Sequence, residues 1–392
     1  MNVKNTVLGL DIGTSHIKAV SIYREKNKNT LLRYAIGPSF GLATKIASES
    51  EIDNIAASEI LKNFLDENGF KDTQAVAVIS EQRVFSKVIS MPNIENNKDF
   101  KQAIEWEAEQ HLPQSLSDVY LKYTIQKKNS SKKEKEQKEE KTSTVLLGTK
   151  DKYIKKAIDF LSLTNNTSQN KTESTIDVLL VSVLRGYVDR YLSVINRAGL
   201  APLGLEPTSI SSIRGSILTG EVNVPTIIIN FGYSNTDFYF CVDNNLRFVR
   251  PISLGTSSAI RAISEALDVS PIQANEYLYT YGLQRDLLNG KVSEIIMPVM
   301  RMLIEEFEKS KQYIESREAL FGEEPDKRIR RILLMGGGAL IPNIMVYLIQ
   351  NISVEVEMAD AWKTLDISLV GDLKTMDQLK PLFVAAVGAG LK

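Results

Sequence analysis

The sequence predicts an α/β fold of mixed sheets with flanking helices, and three observations carry that prediction. A buried apolar run, Val7 to Leu10, breaks at Asp11 into a Gly-Thr-Ser turn, and a second apolar run resumes through Ile22. The same strand–turn–strand layout returns at residues 226–242, TIIINFGYSNTDFYFCV. A third apolar run, Ile332 to Met335, ends in Gly336, Gly337 and Gly338 before a helix start. Between these units, stretches of helical spacing alternate with short apolar runs, as in sheets covered by helices.

Composition narrows the function classes. A hydrophobic share of 43% in 392 residues supports two or three packed cores. The formal net charge of −1 offers no basic field for nucleic acid. The single cysteine, Cys241, has no intramolecular disulfide partner, which fits a reducing cytoplasm. Met1 is not followed by a basic region and apolar leader. No run reaches the roughly 18 apolar residues of a membrane span, so membrane association is expected through a partner and not by insertion.

The first hairpin carries phosphate-binding chemistry. Gly13 permits close approach of backbone N–H groups to an anion, Thr14 and Ser15 add hydroxyl donors, and Lys18 adds positive charge. Asp11 stands where a carboxylate holds magnesium directly or through water. An ordinary hairpin tip is built from the same residue types. The repeat of the layout, with Asn230 at the Asp position and Gly232, Tyr233, Ser234, Asn235 and Thr236 in the turn, argues for the nucleotide reading.

Along the first lobe, Leu31 to Ala35 reads as a strand. Residues 51–68 read as a helix with Ile52, Ile55, Ile60, Leu61, Phe64 and Leu65 on its buried face and Gly69 as its stop. Ala75 to Ile79 is a buried strand. Val84 to Ser90 is a short alternating strand, ended by Met91-Pro92. Asn96 or Asn97 caps a helix to His111, with Phe100, Ala103, Ile104 and Ala108 inward and Glu105, Glu107 and Glu109 outward. Trp106 and His111 read as packing residues, or as part of a partner-docking surface. The charged stretch 126–143 and the polar stretch 164–174 read as loops, with a strand and a helix between them.

From 177 the rhythm is regular: a strand Val178 to Val183, a helix Gly186 to Arg197, a strand Leu203 to Leu205, then Glu206-Pro207 and a helix from Thr208. Leu254-Gly255-Thr256 is a turn into the helix of Ile260, Ile263 and Leu267. Ser270-Pro271 starts another helix. Residues 292–320 read as one long amphipathic helix, with Pro298 as a kink point.

These motifs resemble the actin-like ATPase superfamily of actin, DnaK-type chaperones, sugar kinases and FtsA. Residues 8–20 resemble its first phosphate motif, 226–242 its second, and 332–343 its adenosine motif. Residues 203–215, LGLEPTSISSIRG, resemble the first connecting helix with its Glu-Pro pair, and FVAAVGAGL at the end resembles the second. Within the superfamily, residues 91–125 and 177–207 resemble the PilM family of type IV pilus assembly ATP-binding proteins.

The resemblance implies an actin-like, two-lobed, ribonuclease H-like fold with a small inserted α+β subdomain. It divides the chain into a first lobe at 1–83 and 184–220, the insert at 84–183, a second lobe at 221–375, and a C-terminal helix at 376–392 returning to the first lobe. It implies ATP with Mg2+, gripped between the two hairpin tips as a clasp, with adenosine against Gly336, Gly337 and Gly338 at a helix start. Asp11 and Asn230 are the implied metal residues. Glu206 would face the catalytic water or the metal, although its plain reading is a strand–helix junction. Glu306 and Lys309 sit in a stretch resembling the helix that borders adenine, and also read as an ordinary i,i+3 ion pair.

Asn230 in place of a carboxylate implies slow hydrolysis at most, with Asp237 supporting its loop and not replacing that carboxylate. The implied partner is the short cytoplasmic N-terminal peptide of a PilN-like membrane protein, docking between the first lobe and the insert, in a groove placed within 84–125. Other pilus assembly components follow as partners, and the chain would sit in the cytoplasm at the inner face of the membrane. The resemblance leaves room for a homo-oligomer. A small-molecule kinase would need a dedicated base and pocket, neither of which is found, and would show substrate-dependent ADP production. An FtsA-like division protein would carry an amphipathic C-terminal helix, whereas this chain ends at Leu391-Lys392.

Overall fold

The computed structural model describes residues 5–25, 28–94, 96–128, 175–217, 224–322, 324 and 326–392. The loop expected at 164–174, most of the one expected at 126–143, and the strand and helix expected between them lie outside the described residues. Gln126 to Lys128 instead extend a strand. The chain divides into two compact units, one of residues 1–82 with 189–392 and one of residues 83–188.

Strands are numbered along the chain: β1 Thr6–Ile12, β2 His16–Glu25, β3 Lys28–Pro38, β4 Gln74–Ile79, β5 Val84–Pro92, β6 Val119–Lys128, β7 Thr175–Leu184, β8 Ala201–Pro207, β9 Thr226–Phe231, β10 Thr236–Val242, β11 Asn245–Ile252, β12 Arg331–Met335 and β13 Glu355–Met358. The larger unit holds two five-stranded sheets, ordered β3-β2-β1-β4-β8 and β11-β10-β9-β12-β13. In each, three antiparallel strands are followed by two that join in parallel. The two lobes thus share one topology, which is why the hairpin motif occurs twice. Their central strands are buried on both faces and read as unbroken apolar runs, as parallel pairing requires.

The helix Glu51–Glu67 forms as expected, but its buried face differs. Asn54, Ala57, Ser58, Leu61, Phe64 and Leu65 are inward, whereas Ile52 is 80% exposed and Ile55 42%. Positions 54, 57, 58, 61 and 65 follow the i, i+3, i+4 stripe, and 52 and 55 fall off it. The long helix runs Lys291–Glu315 and stops short of 320; a separate single turn covers Glu318–Phe321. Its inward side chains, from Val292 to Ile314, share the second lobe's core with Phe231, Phe238 and Phe240.

The chain crosses between the lobes at the helix Thr208–Ser216, and the helix Val384–Gly390 lies against it and against β1. Here the backbones nearly touch. A Cβ at Gly388 would lie 1.8 Å from the Ser211 carbonyl oxygen, one at Gly215 2.1 Å from that of Val384, and one at Gly9 2.0 Å from that of Ala386. The C-terminal helix begins at Val384 and not at 376; residues 373–382 form a separate short helix and a single turn.

The smaller unit is an antiparallel sheet, β5-β7-β6, covered by the helix Asn97–His111. The Asn96 side chain caps that helix by accepting from the Lys98 N–H. Phe100, Ile104 and Ala108 pack on Ile89, Leu121, Val178 and Leu180. Trp106 is 37% exposed, and Glu105 is half-buried and not in open solvent. No described helix is long and apolar enough to cross a membrane.

Candidate functional site

Both hairpin tips are closed by the same hydrogen bond, from Gly13 N–H to the His16 carbonyl at 3.0 Å and from Gly232 N–H to the Asn235 carbonyl at 2.9 Å. The first is braced by the loop after β3, the second by the first residues of the helix Thr256–Leu267 that follows β11. Ser39 donates its N–H to the Ser15 carbonyl and its hydroxyl to the Thr14 carbonyl. Thr256 and Ser257 donate their N–H groups to the carbonyls of Gly232 and Tyr233. The tips meet: Ser234 Oγ donates to Thr14 Oγ1 at 3.0 Å.

The register of the two hairpins aligns their charged residues. Asp11 lies opposite Lys18 across β1 and β2, and Asn230 lies opposite Asp237 across β9 and β10. Lys18 Nζ donates to Asp11 Oδ2 at 2.7 Å, with both side chains about 15% exposed. In the second lobe the pair is an amide and a carboxylate. Asn230 Nδ2 donates to Asp237 Oδ2 at 3.3 Å and to the Tyr239 hydroxyl at 3.2 Å. Asp237 also accepts from Asn235 Nδ2 at 2.9 Å and from Tyr239 at 3.0 Å. Burial pushes the Asp237 carboxyl up to about 6, against these three donors.

Several residues named from sequence have other duties. Thr236 is fully buried and its hydroxyl donates to the Leu254 carbonyl at 2.6 Å, so it fixes the turn and offers nothing to phosphate. The Asn235 side chain is committed to Asp237. Ser15 Oγ lies 2.9 Å from His16 Nδ1. Tyr233 is exposed. Gly336, Gly337 and Gly338 open a single turn at residues 337–340, and the helix starts only at Ile344. Gly336, at φ 85°, is the left-handed residue that makes this turn; a Cβ there would lie 2.6 Å from the Phe231 carbonyl oxygen and 2.8 Å from Asn230 Oδ1. A Cβ at Gly338 would lie 2.1 Å from the Phe231 ring. These glycines therefore bring their turn onto the end of β9, beside Asn230.

Glu206 does not stand free to face water or metal. Arg214 takes both of its oxygens, at 2.6 and 3.2 Å, Ser211 Oγ donates at 2.5 Å, and Lys392 Nζ lies 3.3 Å away. Burial opposes its charge, but Arg214, Lys392 and Ser211 together hold the carboxyl below its ordinary range. It is a structural anchor between the two crossover helices. Glu306 is shared by Arg250 and Lys309, the latter at 2.6 Å, and Arg250 reaches Ser310 Oγ at 3.2 Å. The i,i+3 pair is real, and Arg250 is the partner that sequence spacing did not show.

One acidic residue escaped the sequence reading. Glu81 follows the end of β4, and its Oε1 accepts the Ser209 N–H at 2.7 Å at the start of the helix Thr208–Ser216. It is 2% exposed, and its Oε2 makes no hydrogen bond. Burial pushes this carboxyl up to about 7 against the pull of Ser209, and the charge of Asp237 adds to the rise. The available signal was its place at the carboxyl end of a buried parallel strand, where α/β sheets collect ligand-binding groups.

A family model of the type IV pilus assembly protein PilM matches residues 9–140 and 151–392. Among solved structures, the chain is similar to the PilM-PilN type IV pilus biogenesis complex at TM-score 0.74 and 19% identity, over 98% of this chain and 97% of that one. It is also similar to MreB5 of Spiroplasma citri bound to AMPPNP, at TM-score 0.50 and 10% identity, over 99% and 95%. The fold is thus the actin-like one. No curated protein matches the sequence.

Proposed function

The chain belongs to the type IV pilus assembly protein PilM family, and from that premise we propose that it is an ATP-binding scaffold of the pilus assembly platform. ATP lies between the hairpin tips and fixes the posture of the two lobes, and that posture sets the affinity for the N-terminal peptide of a PilN-like membrane protein. The observation that carries this is the meeting of Thr14 and Ser234, which puts both phosphate-type turns at one place. The platform role puts the chain at the inner face of the membrane, held there by its partner.

Lys18, paired with Asp11 at 2.7 Å, would hold a nucleotide phosphate by exchanging one charge-assisted contact for another. Asp11 would hold the magnesium that accompanies the nucleotide, directly or through water. The carboxylate oxygens of Asp11 suit that ion. Magnesium would supply charge neutralisation of the phosphates. Asn230 is an amide whose donors already serve Asp237 and Tyr239, so it is a poor activator of water, and hydrolysis is slow.

The test is binding of the purified chain to the peptide with and without ATP. Tighter peptide binding with ATP, lost in Lys18→Ala, is the expected result. Equal binding without nucleotide, unchanged in Lys18→Ala, overturns the clasp.

A further inference from the structure

We propose that residues 359–381 form a bracket that carries the occupancy of the Gly336 turn to the outer edge of the first lobe's sheet. The proposal rests on the nucleotide-binding role given above and adds a route by which bound nucleotide is felt elsewhere.

Both feet of the bracket stand in the second lobe, at Leu334 and Gly336. Ala359 donates its N–H to the Leu334 carbonyl at 2.9 Å, and the Pro381 carbonyl accepts the Gly336 N–H at 3.0 Å. Between these feet the chain lies on the first lobe. Leu31 donates its N–H to the Asp366 carbonyl at 2.9 Å, and Asp366 donates its own to the Asn29 carbonyl at 2.8 Å. One residue of the bracket thus pairs with the outer edge of β3. Lys28 Nζ meets Asp366 Oδ2 there at 2.6 Å. Trp362 packs on Tyr34 of β3 and on Phe383, with ring centroids 5.6 and 5.2 Å apart. Its indole N–H donates to the Met376 carbonyl at 2.8 Å and so ties the two arms together.

The arms have no slack. Three steps of chain separate Ala359 from Trp362, a reach of at most roughly 11 Å. Ala359, Ala361, Trp362, Met376 and Phe383 are all buried. On the other arm, Pro381 stands two residues before Phe383. A shift at Gly336 therefore moves Pro381 and, through the packed rings, Trp362 and Asp366, because close-packed side chains pass strain on and do not absorb it. Shielding the edge of β3 from other strands needs only the Asp366 pairing. The second foot, on Gly336, is what shielding leaves unexplained.

The test uses the full chain carrying Trp106→Phe, which leaves Trp362 as its only tryptophan. ATP binding is measured by calorimetry, Trp362 fluorescence is followed in the same titration, and hydrogen exchange is read at the Leu31 and Asp366 amides. The Trp362 signal is expected to saturate with the calorimetric affinity, and exchange at both amides to slow at least about threefold. Inorganic tripolyphosphate, which has no adenosine to lie at Gly336, should produce neither change. The same response to tripolyphosphate overturns the route through Gly336. ATP that binds while the Trp362 signal stays flat and both amides exchange as before overturns the bracket alone. A chain that binds no ATP removes the nucleotide role and the bracket's relay together.

Discussion

Ser234 donates a hydrogen bond to Thr14 across 220 positions of sequence, hydroxyl to hydroxyl at 3.0 Å. Sulfurs placed on these two side chains fall within reach of a disulfide. Thr14→Cys combined with Ser234→Cys should cross-link under mild oxidation, read as a faster band on a non-reducing gel. The native Cys241 is buried and should not compete. ATP with Mg2+, lying between the tips, should slow the reaction. A pair that never cross-links would contradict the contact.

Lys18→Ala removes the cation that pairs with Asp11. Loss of a charge-assisted phosphate contact should weaken ATP binding roughly 10- to 100-fold by calorimetry. The unpaired Asp11 should also cost the free protein about 1–3 kcal/mol in denaturant unfolding, since both side chains are largely buried.

Stability should depend on pH through Glu81. Its carboxyl is raised from 4.5 to about 7 in the folded chain, so the native state binds the extra proton between those values. That contribution is full below pH 4.5 and is lost as pH rises through 7, amounting to roughly 3 kcal/mol. Asp237, raised to about 6, acts in the same sense. His16 is lowered by burial and by Lys18, and acts in the opposite sense. The difference between wild type and Glu81→Gln, followed by melting from pH 5 to pH 8, isolates the Glu81 part. A difference that stays flat across this range would show that Glu81 keeps its ordinary value.

Glu206→Gln tests the structural assignment of that residue. It strips one charge from a cluster with Arg214 and Lys392 and should cost roughly 1–3 kcal/mol of stability. ATP affinity should stay within about threefold, whereas a residue facing the phosphates or metal would shift it further.

Gly388→Ala and Gly371→Ala separate close packing from loop flexibility. A Cβ at Gly388 collides with the Ser211 carbonyl oxygen, and one at Gly371 meets nothing within 4 Å. The first should lose about 1–3 kcal/mol or more and the second less than about 0.5.

The doubled sheet topology was legible because a buried strand, a glycine turn and another buried strand form a local pattern, and here it occurs twice. The caps at Asn96 and at Ser270-Pro271 were legible for the same reason, the latter forming a full capping box with Gln273. What escaped depends on partners distant in sequence or on the exact helical phase. Ile52 and Ile55 are apolar but lie off the stripe that Leu61 and Leu65 define. Arg250 reaches Glu306 from a strand 56 positions away. Glu81 sits in Ser-Glu-Gln, which reads as a solvated turn until the helix at Thr208 is seen above it. The part of Asp237 was legible: it reads from sequence as a support of its loop, and it accepts from Asn230 and Asn235 there.

The helices Thr208–Ser216 and Val384–Gly390 are pressed together at Gly215 and Gly388 until their backbones leave no room for even a methyl group. Surfaces that close cannot slide; they can only swivel. Within the larger unit the two lobes are thus joined at this rivet and again where Ser234 meets Thr14. A side chain forced in at Gly388 or Gly215 would therefore part the lobes at the rivet and show itself at a distance, in the Thr14–Ser234 contact.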